Sequence, residues 1–185
     1  MDGTGLINKA KKGDTEAFRQ IVEANSRNVF ALAFRLVGNE HEADDVVQET
    51  FLRAWRQLER FDGRSALSTW LFRIASNCAY DLLRTRTRQK RGETDSDAER
   101  MEAVAENQPG PERQAYSRQV RQQIQAELEG LTQQERTAFV LRHLQDFSIK
   151  EISEVLGTGV NTTKQAVFRA VRKLRAALEP TARSL

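Results

Sequence analysis

Residues 148–175 read SIKEISEVLGTGVNTTKQAVFRAVRKLR, and this stretch decides the fold. Ser148 with Glu151 three residues on is a capping box, the start of a helix. Gly157 ends that helix where a tight turn favours a residue without a Cβ. Val167, Ala170, Val171, Leu174 and Leu178 then recur at helical spacing. Ser153, four residues before Gly157, is small enough for two crossing helices to pack closely. The pattern is a helix-turn-helix. Its second helix carries Lys164, Arg169, Arg172, Lys173 and Arg175, and no acid stands between Glu154 and Glu179. A cationic helix after such a turn suits the DNA major groove. The plainer alternative is a solvated basic helix in a bundle; the coincidence of turn, caps and charge favours DNA.

Outward from that motif, charge divides the chain into blocks. Between Asn39 and Asp62, seven acids face three bases, a net −4. Between Arg64 and Arg91, seven bases face Asp81 alone, a net +6. Between Gly92 and Glu112, seven acids face Arg100, a net −6. This last block lacks aromatics and contains Asn107-Gln108-Pro109-Gly110-Pro111. It cannot bury enough apolar surface to offset its ordering entropy, so it reads as a flexible linker. The expected fold class is all-α: two helical domains, 1–91 and 112–185, joined by an acidic linker over 92–111.

The first domain reads as a bundle. Asp14 caps a helix striped by Phe18, Ile21, Val22, Val29, Leu32, Ala33 and Leu36, and Gly38 stops it. Asn39 and Glu42 open the next, with Val47, Phe51, Ala54, Trp55 and Leu58 inward. A loop at 61–65 leads to a helix over 68–86, with Leu71, Ile74, Cys78 and Leu82 inward. In the second domain, Tyr116, Val120, Ile124 and Leu128 recur at four-residue spacing. Thr132 and Glu135 form a second capping box, followed by Ala138, Phe139, Leu141 and Leu144. Gly3 and Gly5 stand at a terminus that reads as frayed.

Two further faces carry chemistry. Thr69, Arg73, Asn77, Tyr80, Asp81 and Arg84 share one side of the third helix, with Trp70 and Phe72 flanking it. Cations contact phosphates, and aromatics stack on unpaired bases. Asn77 offers the donor and acceptor that a base edge requires. The alternative places Trp70 and Phe72 in the core. On the second helix, Asp44, Asp45, Gln48 and Glu49 form a polar patch. First-turn acids also favour the helix dipole, but Gln48 and Glu49 lie beyond that turn, and a basic protein partner fits the patch.

Other classes fit poorly. The only histidines, His41 and His143, lie in different domains without metal-ligand spacing. The single cysteine, Cys78, rules out an internal disulfide, suits a reducing compartment, and falls on an inward stripe. No phosphate-cradling glycine loop, signal peptide or membrane span is evident. The expectation is a cytoplasmic, non-enzymatic DNA-binding protein with no cofactor and no metal.

Three stretches resemble bacterial sigma factors of the extracytoplasmic-function type. They are ADDVVQETFLRAWRQLERFDG (43–63), STWLFRIASNCAYDLLR (68–84) and LTQQERTAFVLRHLQDFSIKEISEVLG (131–157). They stand in the family's order and spacing, and the resemblance covers nearly all of the chain outside the linker. It implies region 2 and region 4 domains. It implies that Asp44, Asp45, Gln48, Glu49 and Phe51 dock on the β′ clamp helices of core RNA polymerase. It implies that Phe61, Arg64, Trp70, Arg73, Asn77, Tyr80 and Arg84 melt and read the promoter −10 element as single-stranded DNA. It implies that Asn161, Thr162, Lys164, Gln165, Phe168, Arg169 and Arg172 meet the −35 element, with Arg169 and Arg172 on phosphates. The second domain would also meet the β flap, the linker would thread near the catalytic channel, and an anti-sigma factor would hold the protein silent. A conventional helix-turn-helix regulator, the competing reading, leaves the Asn77 face and the acidic patch without a role.

Overall fold

A computed structural model describes residues 3–92, 126–128 and 130–182. These form helices joined by turns, with no strand among the described residues. The first domain contains α1 (Gly3–Lys11), α2 (Thr15–Val37), α3 (Glu40–Gln57), a 3-10 turn (Leu58–Arg60) and α4 (Leu67–Gly92). The second contains α5 (Gln133–Leu144), α6 (Ile149–Leu156) and α7 (Val160–Ala182).

The boundaries follow from local chemistry. Asp14 accepts the Ala17 N–H at 3.0 Å and starts α2. Gly38, at φ 82, takes the left-handed conformation that ends it and donates its N–H to the Phe34 carbonyl. Asn39 caps α3 through Glu42 N–H at 3.0 Å. Both capping boxes form, Thr132 with Glu135 and Ser148 with Glu151. They satisfy donors that a helix N-terminus otherwise leaves open.

Helices α2, α3 and α4 pack together around Leu32, Leu36, Val46 and Leu71, all at most 1% exposed. Each buried leucine contributes roughly 1.5–3 kcal/mol. Two expectations change here. The terminus at Gly3 and Gly5 belongs to α1, which Leu6, Ile7 and Ala10 fasten against Ala17, Ile21 and Leu58. Trp55, expected inward, is 37% exposed, with one side against Phe18 at 4.8 Å between ring centroids.

The two helical domains are present as expected, and one buried apolar cluster runs through both. It joins Leu71, Phe72 and Ala75 of α4 to Ala138 and Leu141 of α5 and Ile152 and Val155 of α6. The reason is that α4 is apolar on two sides. Leu71, Ile74 and Cys78 mark one stripe; Phe72, Ala75 and Ala79, also buried, mark another. The linker 92–111 and Tyr116, Val120 and Ile124 lie outside the described residues, except that α4 continues to Gly92.

Candidate nucleic-acid and partner interfaces

Helix α7 separates its residues cleanly. Thr163, Ala166, Ala170 and Leu174 are buried. Asn161, Thr162, Lys164, Gln165, Phe168, Arg169 and Arg172 are all exposed. Phe168 is 67% exposed, so a phenyl ring stands in water among cations. Thr163, at a position where an apolar residue would serve, is satisfied instead by donating to the Gly159 carbonyl at 3.1 Å and pairing with Thr158 at 3.0 Å. Lys173 turns the other way and binds Glu135 at 2.6 Å. Burial raises the Glu135 carboxyl, but Lys173 and the Thr132 cap outweigh it and hold the group below the usual range. This pair ties the start of α5 to the recognition helix. A groove of about 550 Å³ runs between them, lined by Gln133, Gln134, Thr162 and Arg169.

The outward side of α4 is less open. Arg73, Asn77 and Arg84 are exposed, and Trp70 is half-buried. Arg64 projects from the preceding loop and pairs with Asp62 at 2.7 Å. The Arg64 backbone N–H, more than its guanidinium, holds the Asp62 carboxyl below its usual range. Thr69, expected outward, is 1% exposed, because it lies at the cleft where the second domain meets α4. Tyr80 is also drawn into that contact: its hydroxyl donates to the Gln133 carbonyl and pairs with Thr137. Burial pushes its phenol up to about 12.

On α3, Asp44, Asp45 and Gln48 are exposed. Glu49 binds Arg53 at 2.6 Å, Arg53 binds Asp81 at 3.0 Å, and Asp81 binds Arg84 at 2.8 Å. Glu49 and Asp81 push the Arg53 guanidinium above its ordinary value. The chain of charges fixes α3 against α4, although each half-exposed pair adds little stability.

Residues 21–89 match the family described as "Sigma-70 region 2", and residues 121–174 match "Sigma-70, region 4". The ECF RNA polymerase sigma factor SigW of Bacillus subtilis is 34% identical over 177 residues, covering 91% of this chain and 92% of SigW. The ECF RNA polymerase sigma-E factor of Escherichia coli is 34% identical, covering 96% and 95%. The chain belongs to the extracytoplasmic-function sigma factors. Solved structures agree. CnrH, in complex with the cytosolic domain of CnrY, matches with a TM-score of 0.70 at 30% identity, covering 95% of this chain and 96% of CnrH. RpoE of Bartonella quintana, in complex with the anti-sigma factor NepR, matches at 0.66 and 26%, covering 88% and 96%.

In this sigma factor the expected site residues do not all reach a surface. Phe51 is 7% exposed and lies in the bundle core; Phe61 is 5% exposed. Phe61 stacks on Trp70 at 5.2 Å, and Lys11 sits over its ring and donates to its carbonyl. Both phenylalanines pack inside the first domain. The sequence pattern did not mark Leu52 as a surface residue. Leu52 is 45% exposed, one turn beyond Gln48, and extends the acidic patch with an apolar surface. Its signal was the four-residue spacing from Gln48. Cys78 is buried among apolar neighbours, which raises its thiol pKa. Among the described residues no group of His, Cys, Asp and Glu is arranged to hold a metal, and no helix is long and apolar enough to cross a membrane.

Proposed function

We propose that this sigma factor divides promoter recognition among the three faces described above. Asp44, Asp45, Gln48, Glu49 and Leu52 of α3 dock on the β′ clamp helices of core polymerase. Arg64, Trp70, Arg73, Asn77, Tyr80 and Arg84 hold the −10 element unpaired. Asn161, Thr162, Lys164, Gln165, Phe168, Arg169 and Arg172 meet the −35 duplex. The protein performs no chemistry of its own, works in the cytoplasm and takes no cofactor. A partner of the anti-sigma class, as NepR is for Bartonella RpoE, silences it.

The observation that carries this reading is the clean division of α7. All seven expected DNA contacts are exposed there, on a helix held by buried Thr163, Ala166 and Ala170. Phosphate contacts fix register and base-edge contacts give sequence. The α7 face supplies both, through its arginines and through Asn161, Gln165 and Phe168. Two modest DNA sites on one polymerase then gain from effective concentration.

The test is capture of core polymerase by the full chain. We expect the wild-type chain to retain core polymerase, and the Asp45→Lys, Glu49→Lys double variant to lose it. A chain that binds promoter duplex but never core would be a conventional helix-turn-helix regulator instead.

A further inference from the structure

We propose that Lys11, the last residue of α1, is a positioning residue for −10 recognition, holding the Phe61–Trp70 ring pair and the loop that carries Arg64. The proposal rests on the reading of α4 as the −10 face and assigns α1 a part in it.

Lys11 grips Phe61 twice. Its ammonium donates to the Phe61 carbonyl and lies 5.8 Å from the centre of the Phe61 ring. A charge-assisted hydrogen bond and a cation–π contact thus converge on one residue. Phe61 follows the 3-10 turn and donates its own N–H back to the Leu58 carbonyl at 3.1 Å. The Phe61 carbonyl stands beyond that turn, outside any helical ladder, so its donor has to come from elsewhere in the fold. The ring then passes the constraint to α4. It meets Trp70 at 5.2 Å between centroids, tilted by 46°. Trp70 and Leu67 also pack against Ala10, Ala17, Ile21 and Leu58, the small cluster beneath α1. Trp70 is therefore set from α1 by an apolar route and by a polar one.

The loop between Phe61 and α4 moves with Phe61. Asp62 accepts the Arg64 N–H at 3.0 Å and pairs with its guanidinium at 2.7 Å, and Gly63 turns the chain at φ 73. A shift of the Phe61 backbone therefore carries Arg64 with it. Reading a splayed base requires the contacting groups to be held to within about 0.5 Å. Apolar packing alone has no direction and does not fix the loop that finely; a hydrogen bond to its first carbonyl does. Leu6, Ile7 and Ala10 keep α1 seated without the ammonium. Loss of the Lys11 charge thus loosens Phe61 and leaves the helix in place. Lys9 and Lys12, the neighbouring cations, are exposed and carry the same charge without this contact.

The experiment uses the full chain with Trp55→Phe, which keeps a ring against Phe18 and leaves Trp70 as the only tryptophan. Acrylamide quenching of Trp70 reports its packing. In parallel, core polymerase loaded with the chain transcribes a promoter selected from a library, with its −10 bases changed one at a time. Lys11→Met should make Trp70 more open to the quencher. It should also cut the preference for the selected −10 base about tenfold, the worth of a charge-assisted hydrogen bond. Core capture and −35 duplex affinity should stay as in wild type. Lys11→Arg, which keeps a cation and donor, should restore both readouts, and Lys12→Met should change neither. Unchanged quenching in Lys11→Met would overturn the proposal. So would a parallel fall in core capture, duplex affinity and −10 preference, which marks a general loss of fold. If Trp70 loosens while the −10 preference survives, Asn77→Ala decides. Loss of the preference in that variant overturns the role of Lys11, and its survival there overturns the reading of α4.

Discussion

Replacing Arg169 and Arg172 by glutamine should change the salt dependence of duplex binding by a calculable amount. Both side chains are exposed on α7, and neither has an ion-pair partner among the described residues. Each is therefore free to displace counterions when it meets a phosphate. A lost phosphate contact flattens the slope of log affinity against log salt by about 0.9 for duplex DNA. The double variant should be flatter by about 1.8. Between 50 and 200 mM salt, wild type should then lose about tenfold more affinity than the variant does. Glutamine keeps helix propensity, and exposed substitutions of this kind alter stability by less than about 0.5 kcal/mol. Fluorescence anisotropy on a promoter duplex, titrated with salt, reads the slope directly. Phe168→Ala is the companion: it should weaken binding while leaving the slope unchanged, because a phenyl displaces no counterion. Parallel lines for wild type and the arginine double variant would refute the assignment of these two residues to phosphates.

Three further outcomes are expected. Asn77→Ala should remove discrimination at one position of the −10 element while leaving core polymerase binding intact, as read by transcription from promoters mutated at each −10 base. Ser148→Ala should cost about 1 kcal/mol in urea unfolding, since it removes the side-chain cap of α6, a helix of only 8 residues. Glu135 has a lowered folded pKa, so its contribution is complete above the ordinary glutamate range and fades as pH falls through that range and the lower folded value. Thermal melts should show this acid loss in wild type and a smaller one in Glu135→Gln.

Helix caps and stripes were largely legible in the sequence. Asp14, Asn39, Thr132 and Ser148 each cap where their side chains can reach an unpaired N–H. The α7 face was legible for the same reason, because a 3.6-residue period sorts buried from exposed positions within one helix. What stayed hidden depends on contacts between elements. Phe51 stood on the inward stripe of its helix and is buried there, whereas Phe61 lies in a loop with no period to read and is buried where it stacks on Trp70. Trp55 and Leu52 stand at the edge of a stripe, where a small rotation about the helix axis decides exposure. The docking of the domains was the least legible feature. A second stripe of Phe72, Ala75 and Ala79 was present, but small residues and one aromatic give a weak period. The decisive partner, Arg136, whose guanidinium donates to the Leu36 carbonyl, is a charged residue that sequence reasoning assigns to solvent.

The most direct measurement maps transcript 5′ ends made by sigma-free core polymerase on a promoter library with the purified chain added. The account predicts discrete starts that depend on two conserved DNA elements at fixed spacing, with Asn77→Ala and Arg169/Arg172→Gln each blurring a different element. Starts that are no more sequence-specific with the chain than without it would contradict the account.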